Sequence, residues 1–501
     1  MTATSGMRTI NTQVPSRMDR LPWARFHWLV VVGLGTAWVL DGLEVTMVGS
    51  VADRLTEPGS GISLDAGQIG VAAAIYVLGA CIGALVFGQL TDKYGRKKLF
   101  LTTLVVYLAA TAATAFSFDA WFFYLCRFAT GIGIGGEYAA INSAIDELIP
   151  ARRRGQTNLA INSGYWLGAA GGSLMAIPLL SDSIVPGDLG WRIAFLIGVV
   201  LGLAVLLVRR YVPESPRWLL VHGRDKEAEE LVGGLEAKIS REKGQELPPA
   251  DGTLTIHQRG SIKISEIARV AFRDYPRRSL LCLALFVGQA FLYNAVTFNQ
   301  GTLLGTFFDV DSSQVPYFTA IFALASLAGP LLFGRLFDSV GRKRMITFSY
   351  LASAALLTVT AALFQSGSLT AWSFLGMIVL TFLFATSGAS AAYLTASEIF
   401  PLETRALAIA FFYAIGTAAG GIVGPLLFGE LISSGSVDLT AIGFYIGAAA
   451  MALGGLAEIA FGVNAEQKSL EEIAEPLSAR PSKAGGGSGD KTGDEPSGAT
   501  S

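Results

Sequence analysis

"GQLTDKYGRKK" occupies residues 88–98, and "GRLFDSVGRKR" occupies residues 334–344. Both read Gly-x-Leu-x-Asp-x-x-Gly-Arg-Lys, and each lies between two hydrophobic runs. A second pair recurs in the same order: "ELIPARRR" at 147–154 and "EIFPLETR" at 398–405, each Glu-x-x-Pro-x-x-x-Arg. Two repeated pairs at corresponding places imply a chain built from two related halves.

The surrounding composition says what kind of halves these are. Of 501 residues, 52% are hydrophobic and only 15% charged, which excludes a soluble multidomain protein. A helix needs roughly 20 apolar residues to cross ~30 Å of hydrocarbon. Twelve spans meet that need, at about 27–51, 67–90, 98–117, 121–148, 157–180, 191–210, 279–305, 315–337, 345–365, 370–396, 406–432 and 441–463. The expected organisation is an N-terminal tail (1–24), a six-helix half (25–211), a polar linker (212–278), a second six-helix half (279–464) and a disordered Gly/Ser-rich tail (465–501). Within the linker, Ala228, Leu231, Val232, Leu235 and Ile239 recur at helical spacing and predict an amphipathic helix.

Net charge is −2 and points to no nucleic acid, but the placement of positive charge is informative. Lys93, Arg96, Lys97 and Lys98 follow the second span, Arg152 to Arg154 the fourth, and Arg342 to Arg344 the eighth. The positive-inside rule then puts both termini in the cytoplasm. The first span is too long for a signal-peptide core and stays as a membrane helix. No Asn-x-Ser/Thr sequon is present, in keeping with a bacterial inner membrane. Cys81, Cys126 and Cys282 fall in or beside spans and read as packing residues, with no disulfide or metal role.

The repeated loops have a direct chemical reading. Gly88 and Gly334 permit close helix contact, and Gly95 and Gly341 suit a tight turn. Asp92 and Asp338 can pair with arginines across a neighbouring cytoplasmic loop, and Arg96 and Arg342 of the repeated motif belong to the same network. Glu147 with Arg154, and Glu398 with Arg405, add a second set of opposite charges at the same face. The expectation is a charge network that holds the two halves together on the cytoplasmic side.

With these motifs the sequence resembles the major facilitator superfamily, whose loop between helices two and three carries the Asp-x-x-Gly-Arg-Lys pattern. "PESPRWLL" (213–220), "EIFPLETR" (398–405) and "WRIAF" (191–195) are similar to signatures of its sugar porter branch and of neighbouring metabolite:proton symporters. The resemblance covers about residues 25–475 and implies an all-α fold of twelve transmembrane helices in two pseudo-symmetric halves. It also implies alternating access around a site near the midplane.

The first span, "WLVVVGLGTAWVLDGLEVTMVGS" (28–50), carries two acids, Asp41 and Glu44. An acid at mid-membrane costs roughly 2.5–3.5 kcal/mol on insertion scales, so a function is expected of each. At 1.5 Å per residue, Asp41 and Arg127 both lie about 10 Å below the outer surface, where opposite charges make each other tolerable. Glu44, one turn away and nearer the outside, suits solute binding or proton relay. Glu137 lies about 24 Å from the outer surface, toward the cytoplasm. The stretch "RFATGIGIGGE" (127–137) is similar to the fourth-span motif of sugar porters, where an Arg faces a first-helix acid. The resemblance implies that Asp41 accepts the proton, that Arg127 controls it, and that Glu137 is a second coupling group.

"GIGIGG" (131–136) also satisfies the dinucleotide fingerprint Gly-x-Gly-x-x-Gly. It lies inside an apolar helix with no preceding strand, and reads as small residues for helix packing. No nucleophile-base arrangement, metal cluster or phosphate loop is found, so no enzyme activity and no cofactor are expected. In the seventh span, "GQAFLYNAVTF" (288–298) keeps Gln289 and Asn294 of the sugar porter pattern, while Asn162 and Tyr393 stand at two further sugar-contacting positions. With the aromatic neighbours Tyr165, Trp166 and Tyr293, these suit a small hydroxylated or carboxylated solute. The expected protein is a monomeric importer of a small polar metabolite together with a proton. An uncoupled facilitator, an exporter and a non-transporting nutrient sensor are the alternatives.

Overall fold

The computed structural model describes residues 9–56, 58–62, 64, 66–179, 184–185, 188–209, 213–250, 252–257, 269–310, 314–400, 405–466, 468 and 473–474. The first half consists of α2 (Arg25–Thr56), α3 (Ala66–Tyr94), α4 (Arg96–Ala115), α5 (Ala120–Leu148), α6 (Arg154–Leu179) and α7 (Gly190–Arg209). α1 (Val14–Asp19) precedes it, and α8 (Pro216–Val221) and α9 (Asp225–Lys243) follow. The second half comprises α10 (Pro276–Phe308), α11 (Val315–Ser339), α12 (Arg342–Gln365), α13 (Ala371–Glu398), α14 (Arg405–Gly416), α15 (Val423–Ser433) and α16 (Val437–Phe461). α14 and α15 form one span, joined by a π-helical stretch at Thr417–Ile422.

Ten of these spans are long and apolar enough to cross a membrane by composition. The other two, α5 and α6, have the length but carry more polar residues, among them Arg127, Glu137, Asn158 and Asn162. Together they make twelve spans in two halves of six, the number the sequence predicts.

Local chemistry sets the turns. Gly95 (φ +94°) and Gly341 (φ +114°) take backbone conformations that a side chain would strain, and each joins two antiparallel helices. Asp119 caps α5 by accepting the Phe122 N–H at 2.7 Å, and Thr370 with Ser373 forms a capping box on α13. The glycines of "GIGIGG" let α5 approach α3. A Cβ on Gly131 would lie 2.1 Å from the Tyr76 carbonyl oxygen, and one on Gly135 would lie 1.9 Å from that of Ala80. Across the interface between halves, α6 lies against α11 and α3 against α14.

Outside the bundle, α9 buries Ala228, Val232, Leu235 and Ile239, the stripe expected of it, with Leu231 half-buried. The described part of the N-terminal tail is packed in place. Strand β1 (Thr9–Thr12) pairs antiparallel with β2 (Leu254–His257), and Val14, Met18 and Leu21 are fully buried. Most of the expected C-terminal tail, 475–501, lies outside the described residues.

Candidate functional site

α2 presents Trp38, Asp41 and Glu44 at i, i+3 and i+6, which places them along one face. α5 brings Arg127 to that face, and a close contact between α2 and α6 holds it: a Cβ on Gly168 would lie 1.8 Å from the Val39 carbonyl oxygen. Asp41 (1% exposed), Glu44 (0%), Arg127 (2%) and Glu137 (1%) are all buried.

Arg127 donates from Nη1 to Glu44 Oε1, and its guanidinium lies over the Tyr76 ring, 4.7 Å from the centroid. The ion pair therefore engages the acid one turn beyond Asp41, the acid expected opposite Arg127. Asp41, one turn before Glu44 on the same helix, is buried on the same face. Glu137 is buried on α5 about three turns beyond Arg127, toward the basic-loop end.

Beside this cluster a cavity of about 1040 Å3, including the part open to solvent, lies between the halves. Asn162, Tyr165, Trp166, Gln289, Tyr293, Asn294 and Tyr393 all line it. Among its described lining residues none is charged. Asn162 donates to Asn158 Oδ1 (2.7 Å), and Asn294 donates to the Ala290 carbonyl (2.7 Å), so each amide is held in a fixed orientation.

Aromatic rings from both halves line the cavity. In one group Trp38 stacks on Tyr138 (4.7 Å, 8°), Tyr138 meets Tyr413 edge-on (5.0 Å), and Trp38 meets Tyr393 (5.9 Å). In the other Tyr293 meets Tyr165 (5.8 Å) and Trp166 (5.6 Å). Each group joins rings from both halves. Trp38, Tyr76, Tyr138 and Tyr413 went unnoticed in the sequence; their signal is a bulky polar-tipped ring in the middle of a span otherwise rich in small residues.

At the basic-loop face Arg342 organises the second half. It donates to Asp338 Oδ1 (2.6 Å), to the Phe337 carbonyl (2.7 Å) and, through Nε and Nη2, to both oxygens of Glu398 (3.1 and 3.2 Å). Asp338 Oδ2 accepts the backbone N–H of Gln156 at 2.8 Å, which ties α11 to the first turn of α6 across the halves. In the first half Glu147 pairs with Arg96 and accepts from Ser215, while Glu214 accepts the Arg96 and Lys97 N–H groups at the start of α4.

In the first half the arrangement departs from the expected pairing: Glu147 takes Arg96, the arginine of the preceding glycine turn, and Arg154 pairs with Asp19 of α1. Glu398 takes Arg342; its expected pairing with Arg405 falls on a side chain outside the described residues. The Arg342–Glu398 and Arg96–Glu147 pairs each lie within one half, and the hydrogen bond from the Gln156 backbone N–H to Asp338 links the two halves. The side chains of Asp92 and Arg405 lie outside the described residues.

The model of the family described as sugar (and other) transporter matches residues 39–477, nearly the whole helical bundle. The chain belongs to that transporter family. The chain is similar to the niacin transporter NiaP of Acinetobacter baylyi, 28% identical over 82% of this chain and 89% of that one. It is also similar to the 4-hydroxybenzoate transporter PcaK of the same organism, 25% identical over 82% and 86%. In fold it is similar to the proton:xylose symporter XylE bound to 6-bromo-6-deoxy-D-glucose, with a TM-score of 0.74, 20% identity, and coverage of 90% of this transporter and 98% of that chain. The transporter is a multi-pass membrane protein of the major facilitator superfamily.

Proposed function

We propose that this transporter imports a small, polar, ring-bearing metabolite with a proton by alternating access, from an inner membrane with both of its termini in the cytoplasm. The observation that carries the reading is an uncharged, aromatic- and amide-lined cavity between the halves, beside the buried Asp41–Glu44–Arg127 cluster. The aromatic lining suits a flat or chair-shaped ring, and the held amides and tyrosine hydroxyls suit its hydroxyl or carboxyl groups. A carboxylate brought into such a lining without a counter-charge would be strongly disfavoured. An acidic solute therefore travels with a proton, and the neighbouring acids are placed to supply one. The similarity to transporters of niacin and 4-hydroxybenzoate, and in fold to a proton:xylose symporter, supports this class.

In the proposed cycle Arg127 keeps the cluster ionised while the α2–α5 contact is tight. Asp41 then exchanges its electrostatic tie to the guanidinium for a proton when the halves rock apart. The test uses purified protein in liposomes loaded with a pH-sensitive dye and exposed to sugars, polyols and small aromatic and aliphatic acids. Interior acidification on solute addition in wild type, and its loss in Asp41→Asn, is the expected result. Movement of labelled solute without proton flow in wild type would make the protein a facilitator and overturn the coupling.

A further inference from the structure

The first described residues of the chain lie across the face that bears the gate charges. β1 pairs with β2 of the linker, and Arg17 and Arg20 bind Glu236 of α9 at 2.6 and 2.5 Å. Ser16 donates to the Gly252 carbonyl at 3.1 Å. The strap formed in this way, residues 9–20, carries Asp19 near its end.

Asp19 meets the gate at three points. Its Oδ1 accepts from the Ala151 N–H (3.2 Å) and from Arg154 Nη2 (3.4 Å), and its Oδ2 accepts from Arg217 Nη2 (3.4 Å). Arg154 and Arg217 are each only 1% exposed, so both guanidiniums need a buried counter-charge. Arg217 continues to the Glu147 carbonyl through Nη1 (3.3 Å), and Glu147 in turn holds Arg96. Arg154 immediately precedes Gly155 and Gln156, where the other half docks. A Cβ on Gly155 would lie 2.4 Å from Arg342 Nη1 and 2.6 Å from Asp338 Oδ1, and the Gln156 N–H reaches Asp338 Oδ2. Asp19 thus fixes the residues on which the first turn of α6 rests. It also neutralises Arg154, a cation whose repulsion of Arg342 would otherwise oppose closure. The C-terminal repeat keeps its corresponding ties, Asp338–Arg342–Glu398, within its own helices.

We propose that the N-terminal strap is a working part of the cytoplasmic gate, and that Asp19 is a positioning residue that holds the α6 docking turn and biases the transporter toward its cytoplasm-closed state. The proposal rests on the alternating-access reading but on neither the solute nor proton coupling.

The experiment measures the distance between spin labels at Lys93→Cys and Ser339→Cys, one on each half, in full-length protein in nanodiscs without solute. Cys81, Cys126 and Cys282 are replaced by serine. Relative to this background, Asp19→Asn is expected to raise the long-distance, cytoplasm-open population about fivefold or more, the lower range of a typical coupling. Asp19→Glu is expected to restore the closed distribution. The double variant Arg17→Gln, Arg20→Gln releases the strap from α9 of the linker and is expected to act in the same direction. Unchanged distance distributions in both loosened variants, at the background melting temperature, would reduce the strap to a passive anchor and overturn the proposal. Failure of the coupled-transport reading would show instead in the liposome assay, whatever the distances do.

Discussion

Arg127 of α5 and Glu44 of α2 form a buried ion pair, with the guanidinium also lying on the Tyr76 ring. Asp41, one turn below on α2, is buried on the same helix face. In the proposed cycle the two acids of "LDGLE" have different duties: Glu44 anchors Arg127, and Asp41 exchanges the proton.

This division predicts opposite mutant behaviour. Glu44→Gln strands a buried guanidinium and should cost about 3–5 kcal/mol, seen as a lowered melting temperature in detergent. Glu44→Gln combined with Arg127→Met should recover most of that loss. Asp41→Asn should melt near wild type and yet fail to acidify liposomes. Equal destabilisation by the two single acid variants would contradict the assignment.

At the gate, Arg342 binds Glu398 through two nitrogens, a geometry that lysine lacks. Arg342→Lys and Glu398→Gln should each open the cytoplasmic face and slow net uptake by about tenfold, within the range of coupling between linked sites. Solute affinity, read by tryptophan fluorescence, should change far less. A matching loss of affinity would place Arg342 in the solute site instead.

The rings that line the cavity predict an affinity effect without loss of fold. Removing one aromatic partner forfeits about 0.5–1.5 kcal/mol, so Tyr393→Ala or Trp166→Ala should raise KM about three- to tenfold. Tyr393→Phe keeps the ring and should stay near wild type unless the hydroxyl binds solute directly. Competition uptake assays separate these outcomes.

The strap has a pH dependence with a definite sign. Burial opposes ionisation of Glu236, but hydrogen bonds from Arg17 and Arg20 outweigh it and hold the carboxyl below its ordinary 4.5. A depressed carboxyl contributes stability that is fully present above 4.5 and is lost as pH falls through the lower, folded value. Hydrogen exchange of the β1 amides, corrected for its intrinsic pH dependence, should show constant protection from pH 8 to 5 and a loss only under strongly acidic conditions. Loss of protection near pH 6 would rule out this tie as the anchor.

Much of the fold was legible because a bilayer imposes a length on every span, and the helix limits found here fall within a few residues of the apolar runs. The glycine turns were legible too, since Gly95 and Gly341 need a positive φ. Partner choice at the site was not. Rise per residue fixes a side chain's height but leaves its reach open, and Asp41 and Glu44, three positions apart, share a face on which either can meet Arg127. The pairing of Arg154 with Asp19 was hidden for another reason: it joins residues 135 apart, one of them in a segment whose composition reads as a tail. The solute-side amides and rings came together because the helices that carry them converge at the cavity.

α5 and α6 supply Arg127, Tyr138, Asn162, Tyr165 and Trp166, and they are the two spans whose composition falls short of a self-sufficient membrane helix. A nascent α5 that enters lipid alone carries an unpaired guanidinium and carboxylate, whereas one that enters beside α2 finds Glu44 waiting. The residues that equip the protein for its work thus make its biogenesis order-dependent: the earlier spans must linger at the insertion site until the later, more polar ones arrive.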